Sequence, residues 1–224
     1  MHNGAVHSTR FAVIDTETTG LDPMSDRVVS VALVPLDDGV LRRDLAQHIL
    51  VDPGIRIPPQ ATAVHGIEDG DVIGAPDLAG AVAALAPLLA DRVVVGHNLE
   101  FDLAFLCAAG FPATRTLDTL AVSRLLWPGR GTRHTLDALA ERVGVVPGDR
   151  HTALGDAVAT AEVLAACLPL LDLRGWLTPE AVGLAYAAQR ARRRRVRRSI
   201  RRRSIRPRHH RRSVRPYRSA SRPR

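Results

Sequence analysis

Two apolar, β-branched runs at residues 11–15 and 28–35 flank the turn-forming sequence Gly20-Leu21-Asp22-Pro23, and this pairing restricts the fold more than any other feature of the chain. Short apolar runs separated by such a turn predict an antiparallel pair of strands. Residues 41–51 extend the meander as an expected third strand, after which the pattern becomes an alternation. Residues 78–90 read as helix despite Pro87, 92–96 as strand, and 99–109 as helix with Asn98 as its expected N-cap. Residues 114–117 then read as strand, and 118–126, 135–143 and 152–168 as helices. The Pro-, Gly- and Asp-rich residues 53–71 predict an ordered loop holding one helical turn. A meander followed by alternating strands and helices predicts an α/β fold, a mixed sheet with helices on both faces.

The formal net charge of +8 is segregated along the chain. Every acidic residue lies at or before Glu180, so residues 1–189 sum to −10 and residues 190–224 to +18. The expected organisation is a leader (1–9), a globular domain (10–174), a linker or short helix (175–189) and an Arg-rich tail (190–224). Hydrophobic residues make up 46% of the chain, enough to bury a core in the acidic part. The tail has almost nothing that forms a core and is expected to be disordered on its own. Three explanations of it stay open: a non-specific nucleic-acid tether, a solvated segment with no selected role, or GC-rich sequence read out of frame. Lys is absent, in keeping with GC-rich codon usage. Cys107 and Cys167 have neither disulfide nor metal-site spacing. No apolar signal segment opens the chain, and the apolar residues 78–90 are too short to span a bilayer. A cytoplasmic protein without a membrane partner is therefore expected.

Asp15-Thr16-Glu17 directly follows an apolar run. Residues two apart on a strand share a face, so both carboxylates converge near the strand's C-terminal end. Like charges held that close raise each other's pKa unless a cation lies between them, and hard oxygen donors favour Mg²⁺ or Mn²⁺ over Zn²⁺. Two solvated acids at a strand end is the plain alternative. Asp102 follows a strand at the start of an expected helix, where it either favours the helix dipole or projects towards Asp15. His151 and Asp156, five residues apart, diverge by about 140° on a continuous helix. The geometry works better if Thr152 caps the helix, leaving His151 in a loop and Asp156 on a rigid element. Imidazole titrates near neutrality, which suits a base that takes a proton from water.

Taken together the segments resemble the DnaQ-like (DEDDh) 3′→5′ exonucleases, the family of the proofreading epsilon subunit of bacterial DNA polymerase III. The first motif is Asp15-Thr16-Glu17-Thr18-Thr19-Gly20-Leu21, the second His97-Asn98-x-x-Phe101-Asp102, and the third His151-x-Ala153-x-x-Asp156-Ala157-x-x-Thr160. Pro53-Gly54-x-x-Ile57-Pro58-Pro59, Ala63-Val64-His65-Gly66-Ile67 and Leu136-Asp137-x-Leu139-Ala140 resemble connecting segments.

The resemblance implies a ribonuclease H-like fold with a five-stranded mixed sheet. It implies two metal ions: Asp15, Glu17 and Asp156 on the first, Asp15 bridging to the second, and Asp102 placing the second through water. His151 is the implied base. Related enzymes use a Tyr, and Tyr186 and Tyr217 lie outside the motif. Thr18, Leu21, His65, Asn98 and Phe101 are the implied substrate contacts, with core packing an equal alternative for Leu21 and Phe101. The implied substrates are single-stranded or frayed DNA 3′ ends, and a polymerase subunit is the implied partner. RNA trimming and a non-catalytic adaptor role are the alternatives.

Overall fold

The predicted hairpin forms as β1 (Phe11–Thr18) and β2 (Val28–Asp37), antiparallel from Phe11 opposite Leu36 to Glu17 opposite Ser30. The computed structural model describes the backbone of residues 9–204 apart from Arg130 and Leu177, and side chains as far as Arg192. Residues 1–8 of the expected leader and 205–224 of the expected tail lie outside the described residues. The expected third strand is interrupted. β3 (Val40–Leu41) pairs one end of β2 and β4 (Gln47–Leu50) the other, with a 3₁₀ turn at Arg43–Leu45 between them. Arg42 and Asp44 bond across that turn, and the polar run Arg42-Arg43-Asp44 supplies no apolar face to hold a continuous strand. β5 (Val93–Gly96) joins β1 in parallel and β6 (Thr116–Asp118) joins β5. The order β3-β2-β1-β5-β6, with β4 also on β2, gives six strands in a mixed sheet five positions wide.

The helices are α1 (Pro59–His65), α2 (Leu78–Leu89), α3 (Leu99–Leu106), α4 (Thr119–Leu126), α5 (Leu136–Val143), α6 (Ala153–Asp172) and α7 (Pro179–Ser204). They cover both sheet faces, and β1 shows why. Phe11 and Val13 point into a core shared with α4, α5 and α6, while Ala12 and Ile14 point into a second core shared with α2 and α3. By length and apolarity α6 would pass for a membrane span, yet its apolar side is buried against β1 and β2.

Caps set the ends that matter. Asp118 accepts from the Leu120 N–H (2.8 Å), Thr135 from Ala138 (3.3 Å) and Thr152 from Gly155 (3.1 Å). Asn98 does not cap α3 with its side chain, as had been expected. It lies at φ 68°, and its N–H donates to Asp118 Oδ1 (2.9 Å), so one carboxylate ties the starts of α3 and α4 together.

The chain divides into two units, Met1–Ala188 and Gln189–Arg224. In the first, α7 begins at Pro179, as the Thr178-Pro179-Glu180 sequence predicts. In the second, the described residues continue that helix to Ser204, well past the expected limit at residue 189. Arg is a good helix former, so a helix already nucleated by Ala-rich sequence propagates into the Arg run.

Candidate active site

Alternation along β1 puts Asp15 and Glu17 on the face of Phe11 and Val13, towards α6. Asp156 stands in the first turn of α6, which packs across β1. Carboxylate oxygens of Asp15, Glu17 and Asp156 all lie within 4.8 Å of one another, and each of the three is partly buried.

Such a cluster is electrostatically unfavourable by itself. Burial, then the charges of Asp102 and Glu17, hold Asp15 well above the ordinary carboxylate range, with Arg150 opposing. Burial, then Asp102, pushes Glu17 up to about 7, again with Arg150 opposing. Three hard oxygen donors gathered at a partly buried point fit a divalent cation, which removes the repulsion that raises these values.

Asp102 reaches the cluster from the other side of β1. It sits on α3, is 4% exposed, and accepts a hydrogen bond from Thr16 Oγ1 at 2.8 Å. Thr16 belongs to the opposite face of β1 from Asp15 and Glu17, so Asp102 stays outside the close trio while its charge still acts on both. Burial raises Asp102 to about 7 against the hydrogen bonds from Thr16 and the backbone.

His151 lies outside α6, exposed, at φ 61°. The Thr152 cap divides it from Asp156, as the five-residue spacing required. Thr152 Oγ1 also donates to the Asp149 carbonyl (2.9 Å), and that carbonyl lies where a Cβ on Gly155 would stand. Gly155 thereby admits the loop 149–151 to the first turn of α6. The loop delivers Arg150, which the sequence reading did not single out. Its guanidinium pairs with Asp156, and its Nε donates to Asp137 Oδ1 (2.6 Å). Its adjacency to His151 was the available signal: a cation beside a motif otherwise made of acids.

A cleft of about 530 Å³ opens beside the acids, with Asp15, Asp156, Arg150, His97, Arg124 and His134 on its wall. His97 braces this wall: Nδ1 bonds Thr119 Oγ1 (3.0 Å) and Nε2 bonds the His134 carbonyl (2.9 Å), while burial lowers its pKa. His134, without a pattern in the sequence, bonds Ser123 through Nδ1 (2.8 Å).

The expected substrate contacts separate into three kinds. Leu21 is 83% exposed beyond the end of β1, which removes core packing as its explanation. Phe101 is half-buried and packs against Phe105 (centroids 5.2 Å apart), so packing accounts for at least part of it. Thr18 and His65 are brought together. Thr18 Oγ1 donates to the Gly20 carbonyl (2.5 Å), and the Thr18 backbone opposes the burial that lowers the His65 pKa. His65 Nδ1 accepts from the Ile67 N–H at 3.0 Å. Asn98 is exposed at the start of α3, its N–H occupied by Asp118.

Residues 12–164 match the RNase T exonuclease family. A DNA polymerase III subunit epsilon-like protein of Rhodobacter capsulatus is 41% identical over 180 residues, 77% of this chain and 25% of that protein. The polymerase III epsilon subunit of Rickettsia prowazekii is 33% identical over 172 residues, 71% of this chain and 74% of the subunit. The chain spans only 12% and 11% of two PolC-type polymerases that it also matches, those of Thermotoga petrophila and Clostridium perfringens. Among solved structures, Exonuclease X in complex with 5′ overhanging duplex DNA superposes with a TM-score of 0.62 at 29% identity, covering 80% of this chain and 99% of that one. The matched span contains Asp15, Glu17, Asp102, His151 and Asp156, and the chain belongs to the RNase T exonuclease family.

Proposed function

We propose that this chain is a 3′→5′ exonuclease that releases nucleoside 5′-monophosphates from DNA 3′ ends with the help of two divalent ions, Mg²⁺ or Mn²⁺. The observation that carries the reading is the approach of Asp15, Glu17 and Asp156 to within 4.8 Å of one another in a chain of this family. Asp15, Glu17 and Asp156 would hold one ion, and Asp15 and Asp102 would help to hold a second. Bound ions supply Lewis acidity, acidifying the attacking water and neutralising charge on the phosphoryl and leaving 3′ oxygens. His151 takes the proton of that water as the new P–O bond forms and the bond to the penultimate 3′ oxygen breaks. Leu21, Phe101 and Thr18 contact the terminal nucleotide, Leu21 through its exposed side chain. His65 and Asn98 face its sugar and phosphate.

DNA is the favoured polymer because Exonuclease X, similar along its whole length, is described in complex with duplex DNA. Similarity to polymerase III epsilon subunits supports a role beside a polymerase, in proofreading or repair. Purified chain with Mg²⁺ is expected to shorten a 5′-labelled single strand from its 3′ end, and EDTA or Asp15→Ala to stop it. Faster loss of a matched RNA oligomer would move the substrate class to RNA. No degradation of either polymer with Mg²⁺ or Mn²⁺ would leave a binding role in place of the enzyme.

A further inference from the structure

The role proposed above does not draw on the Arg-rich end of α7. Between residues 190 and 204, ten of fifteen positions are Arg, none is acidic, and the backbone is helical to Ser204. At a rise of about 1.5 Å per residue this stretch is about 22 Å long, roughly one positive charge every 2 Å. Duplex DNA carries one negative charge per about 1.7 Å. The two charge densities correspond closely.

Such a helix works against itself in isolation. Arg recurs four residues apart at Arg193 and Arg197, Arg194 and Arg198, Arg197 and Arg201, and Arg198 and Arg202. Like charges at that spacing destabilise a helix, and no acidic residue follows Glu180 to relieve them. A polyanion would. A membrane surface fits less well, because Val196 and Ile200 are the apolar residues among positions 192–204, too few for an inserting face.

We infer that residues 190–203 form a non-specific nucleic-acid-binding helix that takes the phosphodiester backbone as its ligand and gains helical order from it. Residues 1–189 sum to −10 and repel a polyanionic substrate; a covalently attached cationic helix raises the local concentration of that substrate. This last consequence rests on the exonuclease reading, whereas binding itself does not.

The test compares full-length chain with a full-length variant in which Arg190, Arg192, Arg193, Arg194, Arg195, Arg197, Arg198, Arg201, Arg202 and Arg203 are all Gln, a residue of similar helix propensity. Binding of a labelled, mixed-sequence single strand is followed by anisotropy in EDTA, from 50 to 200 mM salt. The wild type is expected to lose on the order of 10³-fold in affinity across that range, as chains contacting six or more phosphates do. Its helical circular dichroism is expected to increase when the strand is added. The Gln variant should lose at least half of the salt slope, although eight Arg remain beyond Ser204, and all of the helical gain. A second variant with Lys at the ten positions should keep the slope. Equal slopes in wild type and Gln variant would overturn the inference, as would loss of the slope in the Lys variant. Tighter binding to anionic phosphatidylglycerol vesicles than to the strand, per phosphate, would overturn it in favour of a membrane. Because EDTA prevents turnover, this result and the outcome of the degradation assay are independent.

Discussion

Asp156 and His151 are five residues apart, and the fold treats them in opposite ways. Asp156 projects from the first turn of a twenty-residue helix packed on the sheet, facing Asp15 and Glu17 on a strand that is paired on both sides. His151 sits on an exposed loop at positive φ, retained by the Thr152 hydroxyl and by the close approach that Gly155 permits. Groups that repel one another can be gathered only by elements rigid enough to withstand the repulsion. A group that transfers a proton needs reach more than rigidity. Mutations should therefore separate the two regions: changes among the acids alter metal affinity and stability together, and changes at His151 alter turnover alone.

The largest effect is expected from Asp15→Asn. A divalent ion stabilises the transition state by several kcal/mol, so turnover should fall roughly 10³- to 10⁵-fold. Metal-free protein should at the same time become more thermally stable, because one buried like charge is gone. A lower melting temperature in EDTA would mean that Asp15 holds the fold together rather than straining it. His151→Gln comes next, with kcat reduced about 10²- to 10⁴-fold as expected for a general base. Its melting temperature and Mg²⁺ half-saturation should match the wild type. If half-saturation shifts in titrations of this variant, the loop belongs to the metal region after all.

Thr16→Val probes the junction between the two faces of β1. The hydroxyl donates at 2.8 Å to the buried Asp102 carboxylate, and losing a hydrogen bond to a charged group costs about 1.5–3 kcal/mol. If Asp102 positions an ion, roughly a 10- to 100-fold rise in the Mg²⁺ required for half-maximal rate follows, with Thr16→Ser restoring it. An unchanged metal requirement would leave Thr16 a purely structural partner.

Strand alternation made Asp15 and Glu17 legible in the sequence as a pair, and the Thr152 cap did the same for the separation of His151 from Asp156. Thr16 and Asp102 are 86 residues apart, and nothing local to either predicts that one supplies the other's hydrogen bond from the opposite face of β1. Arg150 was visible as a residue, but its pairing with Asp156 depends on how the loop folds back past Gly155. The break in the third strand and the length of α7 were missed for a related reason. In both, composition over a window was outweighed by a local term, the Arg42–Asp44 turn in one and helix propagation in the other.

The smallest expected effect is the pH dependence of stability without metal. Glu17 and Asp102 each titrate near 7 in the folded protein, against ordinary values of 4.5 and 3.8. A carboxyl with a raised folded-state pKa binds its proton more tightly when folded. Its contribution is complete below the unfolded value and is lost as pH climbs through the folded one. The melting temperature in EDTA should therefore decline between about pH 4 and pH 7 and level off above that. One pKa unit corresponds to about 1.4 kcal/mol, but Glu17 reaches solvent and its share must be discounted. The buried Asp102 then supplies most of the decline. Saturating Mg²⁺, which binds the ionised acids, should raise the melting temperature more at pH 8 than at pH 5.5. Arg150 tunes the slope: its charge opposes the rise at both Asp15 and Glu17, so Arg150→Gln should steepen the decline in EDTA. Equal slopes for the two proteins would mean that the guanidinium does not stand in for the cation, and that the sheet and α6 alone hold the acids together.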